Sequence, residues 1–369
     1  MRILLEALPA ERLTPALKSA LGQALLDTGE TNRGEALLRH VVAAGDADAH
    51  TYYGLALIDA RRGRHDQQLQ WLEQALGLNV STAQRRKLSR LKASALAGLG
   101  QLEAALRCVL ACISDAEADG DLFENASALD VAEYIYGALG RDPERERAIK
   151  RAIELFSSLD MPLRVMALRS SLADMCVQSR RFDEAAGHID AALKVAERDD
   201  HPLQIKLLET RGDQRFTHHQ LEDAIADYDT ALGVAQRFGR EVVAARLLLK
   251  LSDAHRQLHR TAQADALLQR AALNSAPLES SAALQDLLRF NQGWAHFEAA
   301  DFIAAQRDFQ ALRTANLDPE RATRTKTFLL ECSRRTDPSF PAIVRGTSTG
   351  AAHPRSSRSA QPGGRGGGS

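Results

Sequence analysis

Apolar side chains recur along most of the chain at offsets of three and four residues. This spacing places them on one face of an α-helix, whereas a half-buried strand would alternate with a period of two. The pattern is clearest in residues 181–193, 220–232 and 301–312. In each segment an apolar residue is followed by Ala, then by a large apolar residue, and then by Ala or Leu. We therefore predict an all-α chain.

The same motif recurs at a nearly constant interval. Taking the first Ala of each copy as its anchor, with weaker copies centred on Gly34, Gln68 and Arg145, gives intervals of 34, 37, 40, 40, 39, 40 and 41 residues. Eight units at such regular spacing indicate a repeat array. The eight anchors are Gly34, Gln68, Ala105, Arg145, Ala185, Ala224, Ala264 and Ala305.

A second helix is predicted before each anchor, so that every unit contains a helix A, a short turn and a helix B. A small residue stands twelve positions before the anchor, which allows the two helices to approach closely. Glu133 is the exception, in the fourth unit. The first two units are predicted to carry about two extra residues in the A-to-B turn. The small positions are Ala93, Ala173, Gly212, Ser252 and Gly293.

This arrangement of small, Ala and large apolar positions resembles the tetratricopeptide repeat. That repeat has about 34 residues, so units of 40 predict about 9 Å of additional helix rise shared between A and B. The longer unit is similar to the solenoids of maltose-regulator-like bacterial proteins, over about residues 12–330. The resemblance implies a right-handed α-α superhelical solenoid of about eight helix hairpins. The sequence shows neither the ATPase module nor the DNA-binding module of such regulators.

Two domains are expected. Residues 1–336 form the solenoid, which ends in a capping helix near 319–335. Residues 2–8 are predicted to form one or two amphipathic turns, as half of a repeat. Residues 337–369 are rich in Ser, Gly, Pro and Arg and have little to bury, so a disordered tail is predicted.

Composition and charge narrow the function classes. Hydrophobic residues make up 44% of the chain and aromatic residues only 5%, which favours helices. A net charge of −1 removes the attraction that nucleic-acid and anionic-membrane binders show, so nucleic-acid binding is expected only weakly, through the basic tail. No uncharged stretch is long enough to span a membrane. Four scattered cysteines fit a reducing compartment, and Arg greatly outnumbers Lys, so we predict a bacterial, cytoplasmic protein.

Three short motifs match catalytic or metal-binding patterns by spacing, but core packing or an irregular segment explains each of them better. Gly346–Gly350 matches a nucleophile elbow by letters, but that chemistry needs a strand before the serine and a helix after it. His255 and His259 lie four apart on a predicted helix, where core packing is favoured over metal binding. Cys108 and Cys112 share that spacing, and Cys112 stands where other repeats have Ala. We predict no enzyme activity, no cofactor and no metal.

The A helices of such solenoids line a concave groove, and partner contacts are expected there. The outward positions lie three before, one after, and four to five after the small residue. They carry both signs of charge, which suits a peptide with both signs or a charged helix. The clamp of Lys, Asn and Arg that related chaperone-tail binders use is not matched, because these positions hold acids and no Asn. The charged candidates are Lys206, Asp213, Arg246, Asp253 and Arg256, and earlier units offer Lys87, Arg90, Ser94, Asp130 and Tyr134.

The eighth unit places three aromatic residues at these outward positions, Phe290, Trp294 and Phe297. Two interpretations remain open. The stripe is either an anchor for a partner, since Trp and Phe are common at binding hot spots, or it packs on the capping helix through Phe328 and Leu329.

The repeats favour a non-catalytic adaptor that binds a protein or peptide in the groove. The alternative is the sensor or regulatory arm of a bacterial signalling or transcription protein. Neither the partner nor the oligomeric state follows from the sequence.

Overall fold

The computed structural model describes residues 14–273, 281–312 and 317–336. Within these ranges every regular element is an α-helix. The helices are α1 (Pro15–Asp27), α2 (Thr31–Ala43), α3 (Ala49–Arg61), α4 (His65–Gly77), α5 (Thr82–Gly98), α6 (Leu102–Ala118), α7 (Leu122–Ala138), α8 (Asp142–Ser158), α9 (Pro162–Gln178), α10 (Phe182–Arg198), α11 (Leu203–Thr217), α12 (Leu221–Arg237), α13 (Glu241–Gln257), α14 (Thr261–Leu273), α15 (Ala282–Glu298), α16 (Phe302–Gln310) and α17 (Pro319–Thr336).

Successive helices pair into eight hairpins, with odd-numbered helices as A and even-numbered helices as B. Each predicted anchor lies on a B helix, and the Ala anchors are fully buried. The prediction of an all-α solenoid of helix hairpins is therefore confirmed. The chain forms two compact units, Met1–Gln214 and Arg215–Ser369, which we call the first and second unit. The boundary lies near the end of α11.

The turns within the hairpins are uniform. Every A-to-B turn has three residues, including 28–30 and 62–64 in the first two hairpins. The prediction of two extra residues there is wrong. The difference lies in the helices, because α1 to α4 have 13 residues each and α5 to α10 have 17. Four more residues lengthen each helix by about 6 Å.

The middle residue of each three-residue turn has a positive φ. Gly100 has φ 74° and Gly140 has φ 68°, a conformation that glycine adopts without steric cost. His259 and Ala300 adopt it as well, with φ 58° and 60°. This conformation ends helix A and reverses the chain toward helix B.

Close approach of A and B depends on the small positions. A Cβ added at the anchor Gly34 would lie 2.8 Å from the carbonyl oxygen of Gly22, which is twelve residues earlier in α1. Gly22 and Ala56 therefore hold the small positions of the first two hairpins. The last helix, α17, covers the segment predicted as the capping helix. The predicted turns at 2–8 and the tail at 337–369 lie outside the described residues.

Candidate partner-binding faces

Neighbouring A helices of the first unit are joined by one polar contact per repeat. The members of each pair stand 32 or 34 residues apart, which is slightly less than one repeat. The contacts are Ser19–Thr51 (2.6 Å between hydroxyl oxygens), Lys87 over the ring of Tyr53 (4.2 Å), Arg90–Glu124 (2.5 Å), Asp130–Arg164 (3.5 Å) and Asp174–Lys206 (2.5 Å).

These contacts fix the spacing of the A helices. Glu124 is buried, and Arg90 donates a hydrogen bond to it from Nε. Burial raises the pKa of Asp130 above its usual value, although the Arg164 guanidinium acts in the opposite direction. Arg90–Glu124 is largely removed from water, whereas Arg164 and Lys206 are more than half exposed, so Arg90–Glu124 contributes most among these charge pairs to holding neighbouring A helices together.

Tyr134 projects from the same face of α7. Its side chain is 58% exposed, and it lies one helical turn after Asp130. Tyr134 follows the small position by one residue, as the exposed Ser94 does in the preceding A helix. The first unit thus presents an exposed aromatic ring among charged side chains that are held by their neighbours.

The A-helix face of the second unit differs because α17 lies on it. Arg321 of α17 pairs with Asp253 of α13, with 2.5 Å between Nη2 and Oδ2, and it also pairs with Asp318. Its guanidinium carbon lies 5.3 Å from the ring centre of Phe216. Burial alone would lower the pKa of Arg321, but the charges of Asp253 and Asp318 outweigh it and raise that pKa above its ordinary value.

Two further residues of α17 continue this contact. Arg324 lies 3.7 Å from Asp253 and 5.2 Å from the ring centre of Trp294. Phe328 packs against Trp294 and Phe297, with ring centres 5.4 Å and 4.8 Å apart. Of the two interpretations of the aromatic stripe, packing on the capping helix is therefore the one that the structure supports.

Three predicted partner residues are buried and do not face outward. Phe290 is fully buried against Trp294 and Phe309, with ring centres 5.9 Å and 6.2 Å away. Asp253 is fully buried beneath α17. The prediction that their side chains are available to a partner is wrong, because sequence spacing assigned these positions to an open face.

Arg256 is the third of these. Its side chain is buried, and it pairs with Asp265 of α14 and Glu298 of α15, each at 2.5 Å. It links three helices of neighbouring hairpins, which is a structural role.

For Lys206, Asp213 and Arg246, contact with a partner stays a prediction. Lys206 is exposed and pairs with Asp174. Asp213 and Arg246 are half-buried.

The remaining sequence motifs lie apart from these faces. His255 is half-buried on α13, and burial lowers its pKa, whereas His259 lies in the turn beyond that helix. The prediction that the two residues share a helix is therefore wrong. Cys112 is buried, as expected for a core residue. Gly346–Gly350 lies outside the described residues.

A small cleft opens beside α9. It has a volume of about 260 Å³ and is lined by Met161, Val165, Arg169 and Val195, among others. Sites for small organic ligands typically have about 300–1,000 Å³. Over residues 14–273, 281–312 and 317–336, no helix is long and apolar enough to cross a membrane.

Several residues of these faces were missed from the sequence. Glu124 and Arg164 each stand nine positions before the small position of their own repeat. Their partners, Arg90 and Asp130, each stand three positions before the small position of the preceding repeat. Comparing charges at these two offsets between consecutive units could have identified both pairs. Arg321 and Arg324 were assigned to a polar cap, and no short-range pattern connects them to Asp253.

No family model matches the chain, and a search of the curated proteins gives no match. Solved structures do resemble it. A signal transduction ATPase (STAND) protein with a tetratricopeptide repeat sensor, from Pyrococcus horikoshii, has a TM-score of 0.66 at 13% identity, covering 86% of this chain and 48% of that one. The apo form of the quorum sensor NprR from B. thuringiensis has a TM-score of 0.55 at 12% identity, covering 87% and 98%.

Aspartyl phosphate phosphatase F from Bacillus subtilis has a TM-score of 0.55 at 15% identity, covering 88% of this chain and 94% of its own. Such low identities carry information on fold and not on activity. Together with the eight hairpins and their small positions, these likenesses show that the chain has the fold of a tetratricopeptide-repeat solenoid.

Proposed function

We propose that this protein is a non-catalytic adaptor that holds a segment of another protein on the A-helix face of the first unit. The observation that carries the proposal is the position of Tyr134. Its ring is 58% exposed at a position that faces outward in the repeat, among the cross-repeat charge pairs. Tyr is enriched at binding hot spots, because it offers a large apolar area and a hydroxyl at low entropic cost.

The surroundings of Tyr134 favour an extended or helical peptide. The pairs Asp130–Arg164 and Asp174–Lys206 keep their charged groups near the surface, with Arg164 and Lys206 both exposed. A segment with both signs of charge can exchange contacts with these groups without leaving any of them buried and unpaired. Since neighbouring A helices are already held together, binding orders few additional side chains.

A displayed peptide library offers a direct test. The full-length protein would be panned against random 12-residue peptides, and the affinity of the enriched peptides would then be measured for wild type and variants. We expect Tyr134→Ala to weaken binding by about tenfold or more, as for a hot-spot residue. Leu110→Ala is the matched control, because Leu110 is an exposed apolar residue of the same unit on a B helix, α6.

The affinities of the two variants show whether the peptide binds at Tyr134. Equal loss in both variants, or retention of binding in Tyr134→Ala, would move the site away from this face. A library that yields no peptide for wild type would contradict a general peptide-binding role.

A second candidate function is the sensor or regulatory arm of a signalling protein. The specific observation that favours it is α17, which covers the A-helix face of the second unit and thereby gives that face two possible states. The Pyrococcus horikoshii protein is itself described as having a tetratricopeptide repeat sensor. Binding that changes the exposure of α17 would favour this function over a passive adaptor.

A further inference from the structure

The last helix presents one basic and aromatic face to the A helices of the second unit. Arg321, Arg324 and Phe328 follow each other at offsets of three and four residues, so they share one side of α17. Their partners stand on three successive A helices, namely Phe216 on α11, Asp253 on α13 and Trp294 on α15. An 18-residue helix is about 27 Å long, enough to reach across several of these helices.

The position that α17 covers on α13 and α15 is exposed on two A helices of the first unit. Asp253 and Trp294 each follow the small position of their helix by one residue. The equivalent residues of α5 and α7 are Ser94 and Tyr134, and both are exposed. Thus α17 occupies the place that a bound segment would occupy in the first unit.

The N-terminal half of this contact is made of charge. Arg321 and Arg324 share the carboxylate of Asp253, and Arg324 also pairs with Glu320 of its own helix at 2.5 Å. The C-terminal half is apolar, because Phe328, Leu329 and Cys332 pack with Phe309 of α16 and with the aromatic side chains of α15. Charged groups regain hydration when they separate, so the N-terminal half of the contact opens at lower cost than an apolar interface of the same size.

We propose that the A-helix face of the second unit is a binding site for a helix that carries Arg at positions i and i+3 and Phe at i+7, and that α17 occupies it as an internal ligand. A helix of the same chemistry in a partner protein binds there by displacing α17. Asp253 pairs with both guanidinium groups of the bound helix. Trp294 contacts the Arg at i+3 and the Phe ring at i+7. This site lies in a different unit from Tyr134, so the peptide panning at Tyr134 succeeds or fails independently of it.

The test uses the full chain and a synthetic peptide of residues 319–336, blocked at both ends and labelled with fluorescein. Trp71→Phe makes Trp294 the sole tryptophan, since the sequence has two. Asp59, which accepts a hydrogen bond from the Trp71 indole, retains Arg64 at 2.5 Å. In this background Arg321→Ala/Arg324→Ala weakens the internal ligand, and Lys326→Ala is the matched control, because Lys326 is an exposed cation of the same helix.

We expect the double variant to bind the peptide at least about tenfold more tightly than the background protein, because the competing state is less populated. Emission of Trp294 should shift to the red in the double variant and return toward that of the background protein when the peptide is added. The Lys326→Ala variant should behave like the background protein. Adding Asp253→Asn to the double variant should abolish uptake of the peptide.

An unchanged Trp294 emission together with no uptake by the double variant would overturn the proposal and make α17 a permanent cap. If the double variant loses helical circular dichroism, hydrogen exchange of the unmodified protein decides instead. Faster exchange in α17 than in α15 and α16 would support a displaceable helix, and equal rates would overturn it. A dimer in light scattering that the double variant dissociates would also overturn it, because the helix would then serve a second copy of the chain.

Discussion

Arg145 and Glu133 form an ion pair at the two positions that hold small residues in the other hairpins, except in the second, where Gln68 is the anchor. Nη2 and Nε of Arg145 lie 2.6 Å and 3.0 Å from Oε1 of Glu133. In the next hairpin the same two positions hold Ala173 and Ala185, both buried. In the fourth hairpin, an ion pair therefore takes the place of the close apolar contact between helices A and B, at the same two positions of the repeat.

Removing one member of this pair should destabilise the protein, whereas removing both should not. We expect Glu133→Ala to lower the free energy of unfolding by about 2 kcal/mol, because Arg145 is then left mostly buried without its partner. The double variant Glu133→Ala/Arg145→Ala recreates the Ala–Ala contact and should return to within about 1 kcal/mol of wild type. Urea denaturation monitored by circular dichroism measures both values.

The exposed pair Arg151–Glu154 provides the control for this cycle. Both side chains are more than half exposed, so Glu154→Ala should change stability by less than about 0.5 kcal/mol. Additive losses in the Glu133 and Arg145 variants would show that the two residues do not act as a pair.

The same substitution should have opposite effects at two glycines. Gly34→Ala places a methyl group 2.8 Å from a backbone oxygen of α1 and 2.9 Å from Leu26, so we expect a loss of about 1–3 kcal/mol. Gly187→Ala lies within α10 with nothing within 4 Å of the added Cβ, and the better helix propensity of Ala should add about 0.5–1 kcal/mol. Midpoints of urea unfolding compare the two. Stabilisation by Gly34→Ala would refute the close helix approach.

The pH dependence of stability should include a contribution from Glu146. Hydrogen bonds from Arg181 and then Lys150 lower the pKa of Glu146 from 4.5 to about 2. A carboxyl whose pKa is depressed by folding stabilises the protein above its unfolded pKa, and this contribution is lost as the pH falls through the folded value. The window is therefore between about pH 4.5 and pH 2.

Glu146→Gln tests this contribution. At pH 7 we expect it to destabilise the protein by about 1 kcal/mol, a figure reduced for the partial exposure of the site. The difference from wild type should shrink as the pH is lowered from 4.5 toward 3. A difference that stays constant over this range would mean that the ionisation of Glu146 is not linked to folding.

The thiol of Cys108 should react faster than an ordinary cysteine thiol. The neighbouring thiol of Cys112, four residues later in α6, and the charge of Lys92 lower the pKa of Cys108, against the opposing effect of burial. Alkylation by iodoacetamide at pH 7, followed by mass spectrometry, should modify Cys108 first and leave the buried Cys332 unmodified in the folded protein. Cys112→Ala should slow the reaction at Cys108. An unchanged rate would exclude the thiol pair as the cause.

Local periodicity was sufficient to predict the hairpins. The small position of helix A and the anchor of helix B are in contact and stand only twelve residues apart in the chain. Their spacing can therefore be recognised in a single sequence. The A-to-B turns of the first two hairpins were predicted too long, because the shorter spacing of these units is compatible with either shorter helices or different turns. Turn conformation removes this ambiguity, and Gly29 and Gly63 at the centres of the turns were a usable signal.

The candidate sites were predicted only in part. The offsets from the small position assign Tyr134, Asp253 and Trp294 to the same position of the repeat. They could not show that α17 covers the last two of these residues. Arg321 and Asp253 are far apart in sequence, and their contact depends on the direction in which α17 crosses the A helices. Burial of Phe290 follows from the same packing.

The central claim is that partners bind to the A helices and not to the B helices. Hydrogen exchange of the full chain, with and without a peptide selected by panning, tests it most directly. We expect added protection in α5, α7 and α9 around Tyr134, with α6, α8 and α10 unchanged. Protection confined to α6, α8 and α10 would contradict the claim.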